Sequence, residues 1–179
     1  KSQLAPKEIG DPPMGITAEN LAKKYGISRE EQDEFAFQSQ QKMAKAMEEG
    51  RFEEQIVPIN IPIRNGDSIE FKVDEHPRPQ TTKEALSKLR AVFLEDGTVT
   101  AGSSSGLNDA AAAVVIMSRE KVNQLGIKPL AVIRAQAVTG VDPNIMGIGP
   151  VSATKKVLEK AGLTLDDIDI IELLCPFSC

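Results

Sequence analysis

The sequence predicts an α/β protein, and three observations carry that prediction. The closing part alternates strand, helix and strand: an apolar run from Lys128 to Ala137, an amphipathic stretch from Ser152 to Lys160, and a second apolar run from Ile168 to Leu173. A short strand–helix–strand unit implies a parallel pair crossed over by its helix. In the middle, the β-branched run Thr98-Val99-Thr100 feeds a turn of very small residues, Ala101 to Gly106, and then the apolar segment Ala110 to Val115. Before it, helix-start signals and a hairpin signal share the first 97 residues.

Residues 1–15 are rich in Pro and Gly and read as an irregular entry. Thr17 is placed to cap a short helix through Tyr25, with Gly26 as its stop. Ser28-Arg29-Glu30-Glu31 forms a capping box that opens a helix to about Glu49, closed by Gly50. Phe35, Ser39, Met43 and Met47 fall on one stripe, which predicts a core-facing side. Ile59, Ile61 and Ile63 alternate with Pro58, Asn60 and Pro62, which confines that strand to an edge. Asn65-Gly66 is a hairpin turn signal, and Ile69, Phe71 and Val73 share a face of the return strand. Thr82 is expected to cap a helix to about Arg90, with Ala85, Leu86 and Leu89 turned inward.

Ala110 to Met117 is expected to hold a helix end and then a strand. Gly140-Val141-Asp142-Pro143 reads as a turn, Gly162 ends the last helix, and Thr164 to Asp167 suggests a capped turn.

The small-residue bend is the most informative segment. Side chains this small let another backbone or a slender ligand approach the main chain closely. A flexible linker would have the same composition. Here the flanks, Thr98 to Ala101 and Ala110 to Ser118, are apolar enough to be buried, and a linker would interrupt a core.

Composition excludes several classes. Hydrophobic residues are 41% and charged residues 26%, ordinary for a globular chain. The net charge of −5 without a long basic run argues against nucleic acid, and 4% aromatics without Trp argue against a base-stacking platform. No run is long enough to cross a bilayer, and Lys1-Ser2-Gln3-Leu4 lacks the apolar core of a signal peptide. The two cysteines, Cys175 and Cys179, are spaced unlike a redox or zinc motif, and the one histidine, His76, is far from both in sequence. No metal site and no disulfide framework are expected, which fits a reducing, cytoplasmic setting. Cys175 lacks a local base and reads as an inert thiol rather than a nucleophile.

Several segments together resemble the thiolase family, in that family's order. They are Met14 to Asn20, Ser28 to Asp33, Ser39 to Lys42, Thr98 to Asp109, Gly140 to Pro143 and Met146 to Pro150. The resemblance spans Met14 to Glu172 and covers the middle of a thiolase, somewhat under half of it. It implies two similar α/β halves with a loop domain inserted in the first. Residues 1–97 would be most of the loop domain, 98–126 the end of the first half and 127–179 the start of the second. The implied reaction is reversible thiolysis of a 3-ketoacyl-CoA, or its reverse condensation. It runs through a covalent acyl-cysteine that a histidine activates, while a second cysteine moves protons. The implied partners are acyl-CoA and CoA, with coenzyme A as substrate rather than resident cofactor. In the full-length protein, further copies would form a dimer or tetramer.

The resemblance also implies site residues. Arg78 looks like the basic residue that stacks on the CoA adenine, although a solvated turn residue would look the same. Ala101, Ser104 and Ser105 look like the small residues beside the pantetheine arm, with the Ser105 hydroxyl offered to a pantetheine amide. Met14, Phe93, Leu107, Met146 and Phe177 resemble the lining of the acyl and pantetheine pocket, and Phe93 and Leu107 could equally be plain core. No catalytic residue is carried over, because the family's nucleophile and Gly-His-Pro segments have no match here. After Glu172-Leu173 the family continues Asn-Glu-Ala-Phe, where the Asn holds a water of the oxyanion hole. This chain reads Leu174-Cys175-Pro176-Phe177, and only Phe177 agrees. The expectation is an acyltransferase of thiolase type, with this chain alone inactive and contributing the CoA-binding region. The alternatives are an inactive CoA-binding module of the same descent and an incomplete chain.

Overall fold

Helix α1 (Met14–Tyr25) and helix α2 (Arg29–Glu48) are joined by a tight corner, Gly26 to Ser28. A computed structural model describes residues 5–64 and 66–178. The corner works because Gly26 takes the left-handed conformation (φ +68°), which ends α1, and Ser28 at once starts α2. The expected capping box is present: the Ser28 hydroxyl accepts from the Glu31 N–H at 3.1 Å, and the Glu31 carboxylate accepts from the Ser28 N–H at 2.8 Å.

The start of α1 corrects the sequence expectation. The helix begins three residues before Thr17, behind Pro13, and the Thr17 hydroxyl donates back to the Met14 carbonyl at 2.7 Å. Proline just before the first turn costs no hydrogen bond, so it opens the helix without a side-chain cap. The α2 stripe is also corrected. Gln32, Asp33 and Ala36 are its buried residues, whereas Phe35 is 55% exposed and Met43 and Met47 are half-buried. Two polar residues take that face instead: Gln32 donates to the Thr98 hydroxyl at 2.8 Å, and Asp33 pairs with Arg29 one turn earlier at 2.9 Å.

Strands β1 (Ile59–Pro62) and β2 (Ser68–Phe71) form an antiparallel hairpin with Ile59 opposite Phe71 and Ile61 opposite Ile69. Both strands are exposed throughout, and Pro62 in β1 suits an edge. Asn65, half of the expected turn, lies outside the described residues, while Gly66 has φ +85°. Helix α3 (Lys83–Ser87) is shorter than expected, although Thr82 caps it by accepting from the Ala85 N–H at 3.1 Å. Only Leu86 of the three expected inward residues is buried. The Leu86 and Leu89 carbonyls accept from the Arg29 guanidinium at 2.7 and 2.9 Å, which satisfies the helix end after little more than one turn.

Helix α4 (Arg119–Leu125) has no counterpart in the sequence reading. Its Ser118 cap and left-handed Gly126 are ordinary boundary signals. Helix α5 (Gly149–Ala161) starts three residues earlier than expected, at Gly149-Pro150, and stops at Gly162 as expected. A short helical turn over Pro143–Ile148 leads into it, capped by Asp142. The capped turn at Thr164 is present, with Asp167 accepting from the Thr164 N–H and hydroxyl, both at 2.8 Å.

The expected strands over 128–137 and 168–173, and the helix end and strand over 110–117, are not formed. Among the described residues, no strand pairs with any of them, and the Gln136 carbonyl accepts from the Lys160 side chain at 3.2 Å instead. Their apolar side chains stand in solvent, with Val115, Ile133 and Ile170 all largely exposed. A strand is stable only as a member of a ladder, whatever its β propensity.

The chain divides into two compact units. One comprises Lys1–Pro12 and Leu107–Leu174, and the other Pro13–Gly106 and Cys175–Cys179. The second, which holds α1, α2, the hairpin and α3, contains the buried core: Ala18, Leu21, Ala22, Ala36, Leu86 and Val99.

Candidate functional site: the bend at 98–106

The bend is held from both long helices. Glu19, buried on α1, accepts from the Thr98 N–H (2.9 and 3.0 Å), the Thr98 hydroxyl (3.1 Å) and the Val99 N–H (2.9 Å). Gln32, fully buried on α2, donates to the same Thr98 hydroxyl at 2.8 Å. A third tether comes from the preceding segment, where the Val92 N–H donates to the Val99 carbonyl at 3.0 Å. Buried polar groups are mostly paired, and here the pairing fixes the main chain entering the bend, although the Gln32 Oε1 has no partner among the described residues.

The bend then closes on itself. The Thr100 hydroxyl accepts from the N–H groups of Gly102 (3.1 Å) and Ser103 (3.2 Å), and the Ser103 hydroxyl accepts from the Thr100 N–H (2.9 Å). The Ser104 hydroxyl donates to the Thr100 carbonyl at 2.6 Å. Gly102 packs closely: a Cβ there would stand 2.5 Å from Leu86 Cδ2 and 2.7 Å from Leu89 Cδ1, so those side-chain ends would have to shift. Those leucines belong to α3 and its exit, which Arg29 and a Lys83–Glu34 ion pair hold against α2. The hydrogen bond from Lys83 keeps the Glu34 carboxyl below the ordinary glutamate range.

The far side of the bend pairs with the segment Pro176 to Ser178. The Ser105 N–H donates to the Pro176 carbonyl (2.8 Å), the Ser178 N–H donates to the Ser103 carbonyl (3.0 Å), and Ser104 faces Phe177 in an antiparallel bridge. Phe177 meets Phe93 edge-on, with ring centres 5.9 Å apart and planes at 82°. The Phe93 ring also packs over Gly15, next to Met14 at the start of α1.

The expected site residues therefore separate into groups. Ala101, Ser104, Ser105, Phe93, Phe177 and Met14 lie in the compact unit that carries the bend. Ala101 and Ser105 are exposed, and the Ser105 hydroxyl has no hydrogen-bond partner among the described residues. The Ser104 hydroxyl is consumed inside the bend. Arg78 is exposed on a loop of the same unit. Its N–H donates to Gln40 of α2 (2.8 Å), and its carbonyl accepts from the Thr81 N–H and hydroxyl. Leu107 and Met146 belong to the other unit, and Leu107 is 105% exposed.

Sequence reasoning missed Glu19, Gln32 and His76. Glu19 had a signal: a carboxylate four residues after Gly15 and three before Ala22, on the face that α1 buries. His76 had none, because its place against Gly106 is a tertiary contact. Among the described residues, no cluster of three or more His, Cys, Asp or Glu could hold a metal, and no helix is long and apolar enough to cross a membrane.

Comparison with known proteins places this geometry. The family described as "Thiolase, N-terminal domain" matches residues 5–120, and "Thiolase, C-terminal domain" matches residues 127–179. The chain belongs to the thiolase family. It is 57% identical over 159 residues to an acetyl-CoA acetyltransferase of Chromobacterium violaceum, covering 89% of this chain and 41% of that protein. Identity to the acetyl-CoA acetyltransferase of Syntrophomonas wolfei is 58%, covering 89% and 40%. The crystal structure of the Bacillus anthracis acetyl-CoA acetyltransferase superposes with a TM-score of 0.88 at 49% identity, covering 94% of this chain and 42% of that one. Human mitochondrial 3-ketoacyl-CoA thiolase gives 0.88 at 47%, covering 98% and 43%. The fold is thus the α/β fold of the thiolases, and the chain spans about two fifths of the length of these relatives.

Proposed function

We propose that this chain is part of a thiolase-type acyl-CoA acyltransferase, within which it supplies the surface that receives coenzyme A. The carrying observation is the bend at 98–106: closed on itself by its own hydroxyls, built of small residues, and with the exposed Ser105 hydroxyl unpartnered among the described residues. A thin, amide-bearing pantetheine arm fits such a surface, because it can lie against main chain and exchange one hydrogen bond with a hydroxyl. Relatives named acetyl-CoA acetyltransferase support the reading.

In this reading residues 1–97 are the loop domain, 98–126 the end of the first half and 127–179 the start of the second. The unpaired runs over 128–137 and 168–173 find their ladder partners in the remainder of a full-length thiolase. That remainder also carries the nucleophilic cysteine and its activating histidine, so the chain alone turns over no substrate. The whole enzyme is a cytoplasmic homo-oligomer that exchanges acyl groups between CoA molecules.

One observation favours a second reading, a CoA-binding module without turnover. Leu174 stands where thiolases carry the Asn of the oxyanion hole, and a leucine side chain cannot hold a water. Two measurements on this chain test the first reading. Titration calorimetry should detect coenzyme A binding that Ser105→Val weakens. Acetoacetyl-CoA thiolysis should stay at the buffer rate, and turnover that vanishes in Cys175→Ala would make Cys175 a nucleophile.

A further inference from the structure

His76 lies against the bend. A Cβ placed on Gly106 would stand 2.7 Å from the His76 Nδ1 and 3.2 Å from its Nε2. Gly106 does not have a positive φ, and what a Cβ there would meet first is the end of the His76 side chain. The room is taken by an imidazole.

The loop that carries this imidazole is constrained immediately after it. Pro77 restricts the His76 main chain to extended conformations. Two residues on, the Arg78 N–H is bound to Gln40 and its carbonyl to Thr81. The ring itself is exposed, and among the described residues it has no hydrogen-bond partner. The same is true of the Ser105 hydroxyl, one residue from Gly106. The other hydroxyls of the bend, on Thr100, Ser103 and Ser104, are all spent on its own main chain. Two polar side chains at one edge of the bend are therefore left over. A neutral imidazole has one N–H donor and one acceptor nitrogen, the same complement as an amide.

We propose that His76 is a second binding residue of the bend, exchanging a hydrogen bond with an amide of the pantetheine arm while Ser105 engages the arm beside it. The proposal rests on the coenzyme A reading above. It assigns His76 to the pantetheine end of the ligand and not to the adenosine end, because the ring touches Gly106, next to Ser105.

The test uses the fact that His76 is the only histidine, so its ε1 proton is a single resolved NMR line. Pantetheine alone should shift that line and the Ser105 amide together. Adenosine bisphosphate, the other end of coenzyme A, should leave the line in place. His76→Ala should weaken coenzyme A binding about fivefold, the size of one exposed hydrogen bond. His76→Asn, which keeps a donor and an acceptor, should recover most of the loss, which a merely space-filling role would not predict. The proposal is overturned if coenzyme A moves the Ser105 amide while the His76 line stays. It is also overturned if adenosine bisphosphate moves the line and pantetheine does not, or if H76A binds as tightly as the parent. If coenzyme A moves neither signal, the coenzyme A reading fails first and this inference falls with it.

Discussion

Glu19 and Val99 are 80 residues apart in sequence, yet the buried Glu19 carboxylate accepts the Val99 main-chain N–H at 2.9 Å. The same carboxylate holds the Thr98 N–H, so a single side chain on α1 sets where the bend begins. Glu19→Ala leaves two amides without a partner, and each buried orphan donor costs roughly 1–3 kcal/mol. We expect a loss of about 2–4 kcal/mol in urea unfolding of the chain, with faster amide exchange at Thr98 and Val99. A variant with an unchanged midpoint would show that water replaces the carboxylate at no cost.

Gly102→Ala tests the packing beneath the bend. The new methyl meets the ends of Leu86 and Leu89, which are flexible and can yield. The expected cost is about 1 kcal/mol, at the low end for overpacking. It should shrink in the double variant with Leu86→Ala, and strict additivity of the two changes would refute the contact.

Ser28→Ala removes half of the box that opens α2. A lost N-cap is worth about 1 kcal/mol, which the thermal midpoint should report. Circular dichroism should register less helix only near the midpoint, because the rest of α2 is packed.

The Thr164 N–H, and then the Thr164 hydroxyl, hold the Asp167 carboxyl below the ordinary aspartate range. A lowered value in the folded form means that the turn gains stability above the unfolded aspartate pKa. It loses that stability as pH falls through the lowered one. The Thr164 amide should therefore stay protected at mildly acid pH and exchange freely only in stronger acid. Loss of protection centred at an ordinary aspartate value would contradict the pairing.

Arg78→Ala should weaken coenzyme A binding by about 1 kcal/mol if the guanidinium stacks on adenine at an exposed site. Arg78→Lys should not restore it, since an ammonium has no plane to stack. Identical calorimetric titrations of the parent and both variants would remove Arg78 from the site.

Local chemistry was the legible part of the sequence. The caps at Ser28, Thr82 and Thr164 and the stops at Gly26 and Gly162 involve groups within a few residues of one another, and all are where the sequence placed them. The inward faces were not legible. Phe35 was expected inside and is outside, while Gln32 was unremarked and is fully buried, because Thr98, 66 residues away, supplies its partner. The apolar runs at 128–137 and 168–173 show the same limit: β propensity is local, and a ladder is not. At the bend, the sequence revealed the small residues but not which hydroxyls they would have left to offer. That depended on a network in which Ser104 is consumed and Ser105 is not.

Because Thr100 and Ser103 bind each other's main-chain groups, the bend has its shape before any visitor arrives. On the coenzyme A reading, a guest would give up little freedom on the host's behalf. A narrow tether would lie there at small cost, and the choice between guests would fall to the ends, where their heads and tails differ.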